Sequence, residues 1–283
     1  MRILPAILAA LVTALLAVWL ISPTSPAPTA TESAFDHILR TGTIRCGYYV
    51  FPPMLMFNET TRKPYGLAVD MMNRIAAKTS LKVEWVEEIN FGNWMSGLIT
   101  KRYDAVCTPM WPNAAMTRES TFGKPMMYAA IWPYTRQGDT RFDNNLATLN
   151  TPATTIAVQE GNITAELVNE LFPNAKQYAI PGNTDFGLAI EAVRSGKADV
   201  VLWDANGAYQ YQLNNPKTLH QVKLAEPLQI MPFAIPFPRG EHTLKHLMDT
   251  ALDDMLNTGT FGRMIDKWEP APGMFLRLAK PYQ

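Results

Sequence analysis

Cysteine is scarce in this 283-residue chain, and its charges balance. Two cysteines, Cys46 and Cys107, are too few for a thiolate zinc site; in an oxidising compartment they allow either one disulfide or two small buried thiols. Lysine and arginine together number 25, as do aspartate and glutamate, so no net field attracts nucleic acid. We therefore expect no nucleic-acid partner.

Motifs of enzymes and cofactor sites are also missing from the sequence. We find no nucleophile motif, no glycine-rich phosphate loop and no cofactor fingerprint, so we predict no catalytic residue and no cofactor. His242 and His246 are four residues apart but lack the intervening glutamate of a zinc protease, and a solvated helix face is the favoured interpretation. Glu87 and Glu88 are neighbours on a predicted strand and face opposite ways. The 15 methionines show no repeated ligand spacing, so we predict no metal site.

The N-terminus has the pattern of an export signal. Arg2 precedes an uncharged apolar stretch, residues 3–21, and a proline-rich segment follows. The apolar stretch is longer than the ~7–15 residues usual in a signal peptide and approaches the ~20 that span a membrane. A cleaved signal and a retained inner-membrane anchor both remain open. We expect residues 1–33 to be this signal or anchor with a linker, and the protein to be periplasmic.

Short strands and amphipathic helices alternate along the rest of the chain. Strands are predicted at 44–49, 81–86, 104–107, 155–159 and 199–203. Helices are predicted at 67–78, 94–102, 164–171, 185–195 and 244–256, with a last segment at 261–268. This alternation favours largely parallel α/β sheets with a site at the carboxyl ends of the strands. Proline-containing extended crossings near 128–136 and 227–238 separate two units, which indicates a hinge beside a cleft.

Several of these segments carry a recognisable order of landmarks. They are Ile44-Arg-Cys-Gly-Tyr, Gly66-Leu-Ala-Val-Asp, Tyr103-Asp-Ala-Val, Phe122-Gly-Lys-Pro, Val158-Gln-Glu-Gly and Gly196-Lys-Ala-Asp-Val-Val-Leu-Trp-Asp. In this order the chain resembles the bacterial extracellular solute-binding proteins, family 3, which include the polar amino-acid binders. The resemblance implies a two-lobed, type II periplasmic-binding-protein fold of the α/β class. Lobe 1 would comprise 34–132 and 231–283, and lobe 2 would comprise 133–230.

The function that this resemblance implies is solute capture. An extracytoplasmic protein of this type closes on a small polar molecule, amine-containing or amino-acid-like, and serves an ABC permease; the family expectation is a monomer that is not an enzyme. Two alternatives remain open. One is a partner or sensor subunit of a membrane or periplasmic complex, and the other is an enzyme similar to cyclohexadienyl dehydratase, a reaction hosted by the same fold.

The resemblance places a ligand's ammonium group at Asp204, but it does not place a ligand's carboxylate. The position that aligns with the family's carboxylate-binding arginine is Met116, and Arg118, two residues later, is rotated by about 200° on a helix. The family's Gly-Thr-Thr hydroxyl pair appears as Gly161 and Asn162 followed by isoleucine. We therefore include these residues as candidate contacts. The missing carboxylate partners argue against an ordinary amino acid as the ligand. The N–H groups at the start of the helix after Gly161 offer an alternative site for an anion.

Aromatic and apolar residues at strand ends complete the predicted site. The further candidates are Tyr49, Phe51, Met110 and Trp111. The hypothesis is a ligand with an amine or hydroxyl held by Asp204 and an apolar or aromatic body against these side chains. Alternation along the strand turns Trp203 away from Asp204, so we expect Trp203 to pack in the core. Asn113 is predicted to cap the helix that follows it.

Overall fold

The predicted alternation of strands and helices is confirmed in a computed structural model, which describes residues 32–279. The helices in this part of the chain are α1 Ala34–Thr41, α2 Leu67–Thr79, α3 Trp94–Ile99, α4 Ile163–Leu171, α5 Gly187–Arg194, α6 Ala205–Asn214, α7 His242–Asn257 and α8 Thr260–Trp268. The strands are β1 Thr43–Tyr48, β2 Met56–Phe57, β3 Pro64–Tyr65, β4 Lys82–Glu88, β5 Ala105–Val106, β6 Ser120–Phe122, β7 Met127–Arg136, β8 Thr155–Gln159, β9 Lys176–Ile180, β10 Val200–Asp204, β11 Leu219–Gln221, β12 Gln229–Phe233 and β13 Pro236–Pro238.

Lobe 1 is built on a three-stranded parallel sheet. Its strand order is β4-β1-β5, and α2, α7 and α8 pack together beside it. Cys46 in β1 and Cys107 just after β5 are fully buried and form a disulfide with a Cα–Cα distance of 5.3 Å. Of the two possibilities left open by the sequence, the disulfide is therefore the one observed.

Lobe 2 contains the larger sheet. Its strands follow the order β11-β7-β10-β8-β9, and β12 also pairs with β7. The pairs β10–β8 and β8–β9 are parallel, whereas the pairs that involve β7 are antiparallel. Alternate residues of β10 enter two different cores, because successive side chains of a strand point to opposite faces. Val200 packs on one face and Val201 on the other.

Two antiparallel strands, β7 and β12, connect the lobes. Met127 in β7 belongs to the core of lobe 1, while Ile131 in the same strand belongs to a core of lobe 2. In β12, Met231 belongs to a core of lobe 2 and Phe233 to the core of lobe 1. The changes of core lie between residues 127 and 131 and between residues 231 and 233, within a few residues of the proposed lobe boundaries at 132/133 and 230/231, which stay a proposal.

The proposed export segment, residues 3–21, lies outside the described residues. Between residues 32 and 279, no helix has both the length and the apolar character needed to cross a membrane.

Candidate functional site

A cleft of about 660 Å³ lies between the lobes. Lobe 1 contributes residues that follow β1, β4 and β5, such as Phe51 and Phe91, and lobe 2 contributes residues at the starts of α5 and α6, such as Phe186 and Gly207. The site is therefore at the carboxyl ends of parallel strands, where the alternating α/β pattern places it. Its volume suits a small molecule.

An unbroken row of aromatic rings forms the wall on the lobe 1 side. Phe91 contacts Tyr49 at a centroid distance of 5.9 Å, and Tyr49 contacts Phe51 at 6.1 Å. Phe51 continues to Phe233 at 6.5 Å, and Phe233 to Trp111 at 5.6 Å. The Tyr49 hydroxyl donates to the carbonyl oxygen of Pro109 at 2.6 Å, which fixes its ring. All five rings line the cleft.

Trp203 packs against a core of lobe 2, as expected, but its partly buried ring also forms part of the opposite wall of the cleft. It points to the opposite face of β10 from Asp204, as alternation requires, but its ring extends under the first turn of α6 and lines the cleft beside Phe186. The two ring centroids are 4.6 Å apart. The ring fits there because Gly207 has no side chain: a Cβ on Gly207 would lie 2.2 Å from Trp203 Cε2.

Asp204 is fully buried at the start of α6. Its Oδ1 accepts a hydrogen bond from Gly207 N at 3.0 Å, and its Oδ2 has no hydrogen-bond partner among the described residues. Burial raises the pKa of Asp204 to about 6, although the N–H groups of Gly207 and Asn206 oppose the shift. The same buried charge adds to the burial that raises the pKa of Tyr49 and of Tyr134.

Direct contacts join the two lobes around the cleft. Asn206 Nδ2 donates to the carbonyl oxygen of Pro52 at 2.9 Å. Asn113 Nδ2 donates to Glu166 Oε1 at 2.7 Å, while Asn113 Oδ1 accepts from Met116 N at 2.7 Å and so begins the short 3-10 turn Met116–Arg118. These bonds hold the lobes together across the cleft.

Among the described residues that line the cleft, none on the predicted carboxylate side is cationic. Met116 lines the cleft and Arg118 is exposed outside it. Asn162 lines the cleft but uses its Oδ1 to accept from Thr164 N at 3.0 Å, which caps α4. Gly161 is exposed and lies against Phe91 of lobe 1.

Six of the nine predicted site residues line the cleft. They are Tyr49, Phe51, Met110, Trp111, Met116 and Asn162. Arg118, Gly161 and Asp204 are not among the lining residues, although Asp204 is bonded to one of them, Gly207.

The sequence interpretation missed two residues that line the cleft, Phe186 and Phe91, and one that bonds across it, Asn206. Phe186 follows β9, a strand that was not predicted, so its loop was not recognised as part of the site. Phe91 follows the end of β4, and Asn206 follows Asp204 directly. Their positions next to strand ends are the signal that was available. In the described part of the chain, no group of three or more histidine, cysteine or acidic side chains that could hold a metal ion comes together.

The sequence has recognisable relatives. A profile of the bacterial extracellular solute-binding proteins, family 3, matches residues 44–271. The amino-acid-binding protein AabA of Dichelobacter nodosus is 27% identical over 217 residues, which cover 73% of this chain and 80% of that protein. A probable histidine-binding protein of Campylobacter jejuni is 21% identical over 205 residues, 72% of this chain and 76% of that protein.

Solved structures show the same fold. The ancestral amino acid-binding protein AncCDT-1, described as a precursor of cyclohexadienyl dehydratase, matches with a TM-score of 0.71 at 22% identity. The match covers 84% of this chain and 100% of that chain. At this identity the likeness establishes the type II periplasmic-binding-protein fold and nothing about the ligand.

Proposed function

Because the chain belongs to the bacterial extracellular solute-binding proteins, family 3, we propose that it captures a small, amine-containing or amino-acid-like molecule by closing its lobes. The observation that carries this proposal is the cleft of about 660 Å³ with walls from both lobes. A solute between the walls contacts both lobes only when they are closed. It therefore stabilises the closed form by the contacts that the open form lacks.

The contacts of the solute follow from the walls. Its apolar body packs against rings such as Phe51 and Trp111, and its amine is directed towards Asp204. The relative AabA, an amino-acid-binding protein, supports a ligand with an amine. The buried Trp111 Nε1, which has no partner in the described part of the chain, is a donor for a hydroxyl or carbonyl oxygen of the solute.

The partner is an ABC permease, and the location is the periplasm, in keeping with a family of extracellular solute-binding proteins. We further propose that the protein is a monomer. Residues 3–21 direct export, either as a cleaved signal or as an inner-membrane anchor. Cell fractionation, followed by sequencing of the mature N-terminus, distinguishes these two fates: an intact N-terminus in the membrane fraction indicates the anchor.

Binding without turnover is the proposed activity. The curated relatives are amino-acid-binding proteins, which does not favour the dehydratase alternative. Incubation with prephenate or arogenate, with the products separated by chromatography, tests this directly. Formation of the aromatic product at a rate above that without protein would contradict it.

Thermal unfolding against a library of solutes tests the proposed function. The library comprises amino acids, amines, opines, sugars and organic acids. A solute at ~100 times its dissociation constant stabilises the folded protein by ~2.7 kcal/mol, which raises the unfolding midpoint. Trp111→Ala removes a cleft ring and should abolish the shift, whereas the matched control Tyr65→Ala, which removes a ring stacked on Trp268 away from the cleft, should retain it. No shift with any solute would refute solute capture and favour the complex-partner alternative.

A further inference from the structure

The charges of the cleft are all of one sign. Among the described residues that line it, Glu88 and Asp185 are acidic and none is lysine, arginine or histidine. The charge of the neighbouring Glu87 is paired, since its Oε2 lies 2.7 Å from Arg102 Nε. The buried Asp204 adds a third carboxyl group next to the lining residue Gly207.

A carboxylate group on the solute would have no charged partner here. Moving an anion out of water is costly unless an opposite charge or several hydrogen-bond donors replace the lost water. Met116 supplies neither. The Asn162 Oδ1 accepts from the N–H of Thr164 at the start of α4, which leaves the Asn162 amide N–H groups as neutral donors only. Trp111 Nε1 is one neutral donor, which suits a hydroxyl or carbonyl oxygen better than a full negative charge.

The walls favour a positive charge instead. The faces of aromatic rings carry negative potential and attract ammonium and guanidinium groups. The cleft has a row of five rings on the lobe 1 side and the Phe186–Trp203 pair on the lobe 2 side. A small cation between the lobes therefore faces aromatic surface from both of them.

Two buried acceptors at the start of α6 also need a donor. Asp204 Oδ2 and Asn206 Oδ1 have no hydrogen-bond partner in the described part of the chain, and both residues are fully buried. Buried acceptors are almost always paired in folded proteins. Neither residue is itself among those that line the cleft, but both are within three positions of Gly207, which is, so a donor that reaches the start of α6 from the cleft would satisfy them.

From these observations we propose that the solute is an organic cation without a carboxylate, an amine or guanidine on an apolar or aromatic body. The inference rests on the proposed function, because it assumes that the cleft closes on a small molecule. It narrows that function from amino-acid-like compounds in general to carboxylate-free cations.

Matched pairs of compounds test the inference. The pairs are tyramine with L-tyrosine, agmatine with L-arginine, and histamine with L-histidine. Titration calorimetry should show at least one carboxylate-free member binding ~10-fold or more tightly than its carboxylated counterpart. Equal or tighter binding of the carboxylated members overturns the inference but leaves solute capture intact. Binding only of sugars or organic acids also overturns it, and no binding by any compound in these pairs or the wider library overturns both.

Two substitutions separate the roles of charge and shape. Asp204→Asn retains an N-capping side chain of the same size but removes the negative charge, and should weaken binding of the cation ~10-fold or more. Asp199→Asn is the matched control, since Asp199 precedes β10 at the end opposite Asp204, is not among the residues that line the cleft, and accepts from Thr155 N through its Oδ2 at 2.9 Å; it should change affinity less than ~3-fold. Equal losses in both variants would contradict the assigned role of Asp204.

Met116→Arg tests the missing cation directly. An arginine placed in the cleft repels a cationic solute and offers a bidentate partner to a carboxylate. Relative to the wild-type protein, the ratio of affinities within each compound pair should shift by ~10-fold towards the carboxylated member. An unchanged ratio in a variant that unfolds at the wild-type temperature would overturn the inference.

Discussion

The charge of Asp204 is determined by its burial. A carboxyl group that is fully buried, with one oxygen unpaired, is easier to keep protonated than one in water. The pKa of Asp204 therefore rises from the ordinary value of 3.8 to about 6. Among the described residues, Tyr49 and Tyr134 have pKa values that its charge raises further above the ordinary value of 10.0, so both are protonated at neutral pH.

We predict that Asp204 makes the solute-free protein less stable as the pH rises. A carboxyl whose pKa is higher in the folded than in the unfolded state contributes stability below the unfolded value, 3.8, and this contribution is lost as the pH rises through about 6. Asp204→Asn does not titrate. Its free energy of unfolding relative to wild type should therefore increase between about pH 4 and about pH 7, by up to ~3 kcal/mol.

Urea unfolding of both proteins across this pH range measures the difference. A constant difference between wild type and Asp204→Asn at every pH would show that Asp204 does not titrate as described.

Gly207→Ala is predicted to damage the cleft without changing its charge. The new Cβ would lie 2.2 Å from Trp203 Cε2, so the ring must move and its contact with Phe186 is lost. We expect a loss of stability of ~1–3 kcal/mol and weaker solute binding. Gly262→Ala in α8 is the matched control, because its Cβ meets nothing within 4 Å, and it should be neutral or stabilising by up to ~1 kcal/mol. Wild-type binding by Gly207→Ala, measured by calorimetry, would contradict the placement of Trp203.

Among individual residues of the cleft, those that follow recognisable strands could be predicted from the sequence. Phe51 and Trp111 were found because β1 and β5 were recognisable, and Met116 because it aligns with the family's carboxylate-binding arginine. Each of the three lines the cleft. The place of Trp203 in the cleft wall was not predicted, because alternation gives the face of a strand but not the reach of a large ring beyond the end of that strand. Phe186 was missed because β9 was not predicted.

Among the elements, β1 and β5 are held together by a covalent bond as well as by their ladder. The Cys46–Cys107 disulfide spans 61 residues, and closing a loop of this length restricts the unfolded chain by ~4 kcal/mol in the chain-entropy account. We predict that Cys46→Ala combined with Cys107→Ala lowers the free energy of unfolding by ~2–4 kcal/mol.

Denaturant unfolding with and without a reducing agent checks this prediction. The reductant should destabilise the wild-type protein and leave the double variant unchanged. Equal sensitivity of the two proteins to the reductant would show that no disulfide forms.

Long amphipathic helices and buried strands were predictable as elements, and short edge elements were not. The predicted helices at 67–78 and 164–171 correspond to α2 and α4, and the predicted strand at 155–159 corresponds to β8. The strand β9 was not predicted because its side chains are largely exposed, so its sequence lacks the alternation of apolar and polar residues that indicates a strand. The helix α6 begins immediately after β10, and no turn signal separates the two.

The whole molecule is two lobes joined by β7 and β12, with further contacts across the cleft. Asn206 of lobe 2 bonds to Pro52 of lobe 1, so the lobes meet directly at the site. Near the hinge, Tyr128 in β7 and Leu276 exchange two backbone hydrogen bonds of 2.8 Å, which fasten the C-terminal segment to the hinge strand. The order of the landmarks predicted this two-lobed arrangement. The identity of the cleft walls required the structure, because rings from the loops after β1, β4, β5 and β9 and from the strands β10 and β12 meet there.

Small-angle X-ray scattering with and without the tightest-binding solute of the library tests capture by closure most directly. Rotation of the lobes about β7 and β12 brings them together, so the radius of gyration at saturating solute should fall below that of the solute-free protein. Trp203→Ala, which lacks a cleft ring, should show no decrease at the same solute concentration. Scattering curves of the wild-type protein that are identical with and without saturating solute would contradict the account.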